Sequence, residues 1–152
     1  MSNAYYHAAA MKLQKDSLGF LLADVSRLMR RAFERRLEGS SVTLAQARAL
    51  VYVSRHEGVR QVDLADLLEV QPITLARLID QLAGAGLVER RADPTDRRAY
   101  QVFLTPGAAS HLAAIEQVAA ATRKDALRHL TAPHAAIVLA ALRTMRDNLS
   151  LR

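Results

Sequence analysis

The sequence predicts a mainly α-helical protein carrying a winged helix-turn-helix: two short helices at a tight corner, then a two-stranded β-ribbon, with longer helices on both sides. Three observations predict it. Val62, Leu64, Ala65, Leu67 and Leu68, then Leu75, Leu78, Ile79 and Leu82, form two apolar stripes at helical spacing on either side of the short corner Glu69-Val70-Gln71. Two runs of alternating pattern, 87–91 and 100–104, flank the turn signal Asp93-Pro94-Thr95-Asp96. Outside this module lie long helical stripes with more apolar surface than one small domain can cover.

The order of elements follows from caps and breakers. Residues 1–16 have no periodicity and read as a mobile lead; Met1-Ser2-Asn3-Ala4 resembles a cloning remnant, and His7 carries no hypothesis. From Ser17, a plausible N-cap, the stripe Leu18, Leu21, Leu22, Val25, Leu28, Met29, Ala32, Phe33 and Leu37 predicts a long helix ended by Gly39-Ser40. Thr43 and Gln46 fit a capping box, so a second helix runs from there to about His56-Glu57, with Leu44, Ala47, Leu50, Val51 and Val53 inward. The helix-turn-helix opens at Arg60-Gln61. Pro72 suits the first position of its second helix, where a missing N–H is harmless, and Gly84 and Gly86 end that helix. After the ribbon, Thr105 and Pro106 start an Ala-rich helix to about Leu130, with Leu112, Ile115, Val118, Ala119 and Thr122 on one side. Thr131-Ala132-Pro133 breaks it and begins a last helix bearing Ile137, Val138, Ala141, Leu142, Met145 and Leu149. The expected organisation is one domain over 17–152: the winged module at about 43–104, and dimerisation helices at about 17–39 and 105–150.

Composition narrows the function classes. The 152 residues are 51% hydrophobic with a formal net charge of +6, from 21 basic against 15 acidic residues. Only Lys12, Lys15 and Lys124 among the basic residues are lysine. A basic balance is compatible with nucleic acid and equally with a merely soluble protein. Without cysteine there are no disulfides, thiol redox sensors or thiolate metal ligands. No apolar run approaches a membrane span and no secretion signal opens the chain, which places the protein in the cytoplasm. His56, His111, His129 and His134 fall in no ligand spacing and read as surface or satisfied histidines. No catalytic triad, phosphate loop or hydrolase motif occurs, so neither an enzyme nor a cofactor site is expected.

The informative chemistry is on the second helix of the module. Thr74, Arg77 and Gln81 share the face opposite the apolar stripe, with Gln71 and Pro72 at its N-terminal end. Such a face can reach phosphates and base edges in a DNA major groove. Arg60 and Arg91 are candidates for phosphate contact, and Arg97 and Arg98 stand at the tip of the ribbon, where Asp96 is close enough to hold one of them. On the first long helix, Arg27, Arg30, Arg31, Arg35 and Arg36 form a cluster with three readings: a solvated face, phosphate contacts, or ion pairs between subunits.

Taken together, Leu64-Ala65, Leu67-Leu68, Arg77, Asp80, Leu82, Gly86-Leu87-Val88-Glu89-Arg90, Asp93-Pro94, Asp96-Arg97-Arg98 and Leu104-Thr105 resemble the MarR family of bacterial regulators, with recognition-helix wording nearest its SlyA-type members. The resemblance implies a homodimer on double-stranded DNA. It implies that Arg98 enters the minor groove and that Asp96 braces the wing. It also implies a pocket for a phenolic or carboxylate effector where the dimer helices meet the winged module, with Phe33, Arg48, Tyr52 and His56 as candidate lining. The chain departs from the commoner pattern at two places: no Ser or Thr caps the helix at Gln61, and Ile73 and Ala76 replace small hydroxyl residues. Ile73 then either touches a thymine methyl group or packs on the wing. The functional expectation is a sequence-specific transcriptional regulator, a ligand-relieved repressor on a palindromic operator; the alternative is an architectural, nucleoid-type protein with little sequence preference.

Overall fold

The computed structural model describes residues 17–150, so the expected lead over 1–16, with His7, Lys12 and Lys15, lies outside the described residues. The chain runs α1 (Leu18–Leu37), α2 (Leu44–Arg55), β1 (Val59–Arg60), α3 (Gln61–Leu68), α4 (Pro72–Gly84), β2 (Val88–Ala92), β3 (Tyr100–Leu104), a 3₁₀ turn (Pro106–Ala108), α5 (Ala109–Ala126) and α6 (Ala132–Ser150). Local chemistry sets these bounds. The Ser17 hydroxyl accepts from the Phe20 amide at 3.5 Å. Thr43 and Gln46 close a full capping box, 3.2 and 2.9 Å long. Thr131 accepts from the His134 amide at 3.4 Å at the start of α6. Two boundaries differ from expectation. Helix α5 stops at Ala126 rather than about Leu130, and Thr105 holds the N-cap position of the 3₁₀ turn ahead of Pro106 without a side-chain cap bond: its hydroxyl donates to the Gly86 carbonyl, tying the end of β3 to the end of α4.

Among the described residues the sheet has three strands, not two. Strand β3 lies in the middle, with Val88 of β2 opposite Leu104 and Val59 of β1 opposite Val102, all antiparallel. The short β1 is delivered by Gly58, whose φ of +76° lies in the left-handed region that favours glycine; a Cβ there would lie 3.1 Å from the Phe103 ring. This third strand joins the start of α3 directly to the wing.

The core belongs to the winged module. Leu50, Val53, Leu64, Leu75, Ile79, Leu82 and Val102 are wholly buried, and Ile115 of α5 joins them. Each contributes about 1.5–3 kcal/mol relative to exposure. Two expectations fail here. Val62 and Leu67, assigned to the inner stripe of α3, are 52% and 40% exposed, because an eight-residue helix buries only Leu64, Ala65 and Leu68. Leu78 is only half-buried.

Outside the module the apolar stripes find little cover among the described residues. Of the α1 stripe only Leu37 is buried, with Ala32 and Phe33 half-buried; Leu18, Leu21, Leu22, Val25 and Leu28 are exposed. Helix α6 has no buried residue at all, and Ile137 and Leu149 stand 64% and 82% exposed. Arg36 of α1 pairs with Asp125 near the end of α5, within the same chain. The Asp125 carboxyl is held below the usual carboxylate range by Arg128 first and by Arg36 second. Among the described residues no helix is long and apolar enough to cross a membrane.

Candidate nucleic-acid interface

The corner between α3 and α4 is closed by backbone. Glu69 adopts the left-handed conformation at φ 56°, uncommon for a residue with a Cβ. Its amide and that of Val70 bond to Asp66 and Ala65 carbonyls at 3.0 Å. The chain then extends through Gln71 into Pro72 at the head of α4. Gln71 makes no side-chain cap bond, so its amide group stays available. With Leu75, Ile79 and Leu82 buried, the opposite face of α4 presents Gln71, Pro72, Thr74, Arg77 and Gln81, all exposed.

Arg90 of β2 fixes this helix in place. Its Nε donates to Gln61 Oε1 at 2.7 Å, one terminal nitrogen to Asp80 Oδ1 at 2.6 Å, and the other to the Ala76 carbonyl at 3.1 Å. One guanidinium thus joins α3, α4 and the sheet. It also offsets Asp80, the one acid on the flank of the exposed face.

The wing is built around a buried carboxylate. Asp93, 6% exposed, accepts from the Thr95 amide at 2.8 Å, the Thr95 hydroxyl at 2.6 Å and the Asp96 amide at 3.2 Å. Arg60 Nε lies 3.0 Å from its other oxygen. The Thr95 hydroxyl, then the Thr95 amide, and after them Arg60 and the Asp96 amide hold the Asp93 carboxyl below the usual range, although burial pushes it the other way. Asp96 braces the turn differently from the expectation. Its Oδ1 accepts from the backbone amide of Arg98 at 2.9 Å, and its Oδ2 lies 3.4 Å from Arg60; it holds neither wing guanidinium. Arg97 and Arg98 are exposed, and their guanidinia have no acceptor among the described residues.

Two other arginines stand elsewhere than expected. Arg60, assigned to phosphate contact, spends its guanidinium on Asp93 and Asp96 and anchors the base of the wing. Arg91 pairs with Glu89 and lies over the Phe103 ring, 4.1 Å from its centroid, on the outer side of the sheet. Arg90 and Asp93 carry the architecture of the site, yet sequence reasoning gave them no role of their own. The Asp-x-Thr spacing from Asp93 to Thr95, which favours a side chain bonding its own turn, was the available signal.

Between wing and helices runs a groove of about 420 Å³ bordered by Arg60, Gln61, Val62, Pro72, Arg98 and Tyr100. A second cavity of about 380 Å³ opens between α1, α2 and α5. Phe33, Arg48 and Tyr52 line it together with Arg30, Arg55 and Glu116. His56 does not. It stacks on Tyr52 with 6.5 Å between ring centroids, at the end of α2. Among the described residues no cluster of three or more histidines and carboxylates could hold a metal ion.

Fold and site together define a winged helix-turn-helix protein with a three-stranded wing. The model of the MarR family matches residues 42–100. The solved structure of transcriptional regulator PA3341 is 37% identical and superposes with a TM-score of 0.75, covering 90% of this chain and all of that one. A mutant MarR from E. coli, solved in complex with operator DNA, is 28% identical with a TM-score of 0.67, over 84% of this chain and 92% of that one. A curated relative from Thauera aromatica, described as a transcriptional regulatory protein for the hcr operon, is 36% identical over 76 residues, half of this chain and 45% of its own length. The match therefore spans under half of that relative. The chain belongs to the MarR family.

Proposed function

We propose that this protein is a sequence-specific, DNA-binding transcriptional regulator. The carrying observation is the pairing of α4's exposed polar face with a braced wing whose two tip guanidinia, Arg97 and Arg98, have no acceptors among the described residues. Arg77 reaches guanine edges and Thr74, Gln71 and Gln81 reach neighbouring bases or phosphates in a major groove. Arg98 suits the adjacent minor groove, where narrow A·T-rich segments concentrate negative potential. Arg60 and Arg91 support this grip by holding the wing, and any phosphate contact they make is secondary to their acids. The E. coli structure with operator DNA supports the reading by likeness of fold.

The working unit on this reading is a homodimer on a palindromic site. The exposed stripes of α1 and α6 are the surfaces that would pair, since a two-fold axis lets each stripe cover its counterpart. The regulator represses, and a phenolic or carboxylate effector in the cavity between α1, α2 and α5 relieves it: Phe33 and Tyr52 offer aromatic walls, Arg48 a cation. The wording of α4 supports a kinship with SlyA-type members, and the proposed place of action is the cytoplasm.

Selection from random duplex DNA followed by footprinting tests the reading. One protected, two-fold symmetric site is expected. Arg77→Ala should weaken that site by about 1–3 kcal/mol with little effect on random DNA, whereas Arg97→Ala should weaken both and reduce the salt slope by about one unit. Uniform coating without a selected sequence would favour an architectural protein and overturn the proposal.

A further inference from the structure

Helix α4 turns one side chain to solvent that its polar neighbours do not explain. Ile73 is 64% exposed. It lies one helical turn before Arg77 and two positions before the fully buried Leu75, so it points almost directly away from the core. Ile73 and Arg77 together occupy the middle of the outer face. Thr74 and Gln81 run along one edge, and Asp80, engaged by Arg90, along the other. The wing does not cover Ile73: the groove between wing and helices is bordered by Val62, Pro72 and Tyr100 instead. Its β-branched side chain is stiff at χ1, so it presents its methyl groups in a fixed direction.

A major groove offers hydrogen-bond donors and acceptors along its floor and one apolar group, the C5-methyl of thymine. A stiff aliphatic side chain at the centre of a face otherwise made for hydrogen bonding has that single matching partner. We propose that Ile73 is a specificity-determining residue that reads a thymine through its methyl group. The inference rests on the DNA-binding reading above and adds its chemistry. One helical turn is about 5.4 Å and one base-pair step about 3.4 Å, so this thymine lies one or two base pairs from the base met by Arg77. Single exposed isoleucines are ordinary on protein surfaces, and the test must therefore remove the methyl group and nothing else.

Replacing thymine by deoxyuridine does that. Each thymine of the selected site is replaced in turn, and affinity is measured for the intact protein and for Ile73→Ala, with circular dichroism to confirm that the variant folds. One thymine per half-site should respond, with affinity falling about fourfold, the worth of one methyl group removed from water. Ile73→Ala should bind the unmodified site more weakly and lose its response to that one uracil, while Arg77→Ala keeps it. Ile73→Val, which retains branched methyl groups, should keep part of the response. A site indifferent to uracil throughout, or an undiminished response in Ile73→Ala, overturns the inference and leaves the regulator reading intact. Failure to select any sequence removes the regulator reading first, and the inference with it.

Discussion

Arg90→Ala is the substitution whose effect the structure defines most closely. It removes three hydrogen bonds, of 2.7, 2.6 and 3.1 Å, that converge on a side chain only 26% exposed. Bonds involving a charged partner contribute about 1.5–3 kcal/mol each where water is excluded. The sum overstates the loss, because the Asp80 side chain is 65% exposed and recovers hydration, leaving that pair worth about 1 kcal/mol or less. Gln61 and the Ala76 carbonyl lose partners in the half-buried seam, which brings the expected cost to about 2–4 kcal/mol. For a chain of this size each kcal/mol lowers the melting temperature by about 2–4 °C, so a fall of about 5–15 °C should appear in a thermal melt at fixed protein concentration. Arg90→Lys separates charge from geometry. A single ammonium cannot serve three diverging acceptors and should restore only the Asp80 part. Specific DNA affinity should fall further than random-DNA affinity in the alanine variant, since α4 loses its fixed angle to the wing. A melt within about 0.5 kcal/mol of the parent, or full rescue by lysine, would refute the idea that Arg90 joins helix and sheet.

The wing should respond to acid through Asp93. Its carboxyl titrates below the ordinary value of 3.8, so its contribution to stability is complete above that value and is lost as pH falls through the lower, folded one. Asp93→Asn should therefore melt below the parent at pH 7 and approach it as the pH drops below about 4; a gap that persists unchanged at pH 3 would exclude this role. At the other end of the chain, Leu142→Glu with Leu149→Glu places charges on the exposed stripe of α6 and should give monomers in sedimentation at micromolar concentration. A variant that stays dimeric would move the interface elsewhere.

The helices were legible in the sequence wherever an apolar stripe and a cap agreed, as with Thr43 and Gln46 at the head of α2 or Pro72 at the head of α4. Strand β1 was not, because two residues carry no alternation, and its pairing depends on Gly58 lying against a ring 45 positions along the chain. In α3 periodicity alone predicts a wider inward stripe than the fold buries. Periodicity marks which residues share a face, and only the neighbouring elements decide how much of an eight-residue helix they cover. The outer face of α4 could be read at once, since Leu75, Ile79 and Leu82 fix it by exclusion. The roles of the charged residues could not. Arg60 meets Asp96 across 36 positions and Arg90 meets Gln61 across 29, and no local pattern announces such pairs.

Those pairs change what the basic balance means. A net charge of +6 suggests a diffuse attraction for nucleic acid, yet the arginines around α4 and the wing divide by partner rather than by number. Arg60 is bound to the buried Asp93 and Arg90 to the exposed Asp80 on the flank of α4, and Arg91 is held between Glu89 and Phe103. Their charge is largely offset where they stand, and moving them toward a phosphate would first break contacts that hold the wing. Arg77, Arg97 and Arg98 have no such commitment among the described residues. Three uncommitted guanidinia on two rigid elements, braced by three committed ones, give an attraction with direction. On the proposed reading, salt dependence should then follow the wing arginines Arg97 and Arg98 and sequence preference Arg77, whereas loss of Arg60 or Arg90 should first be felt as a loosened fold.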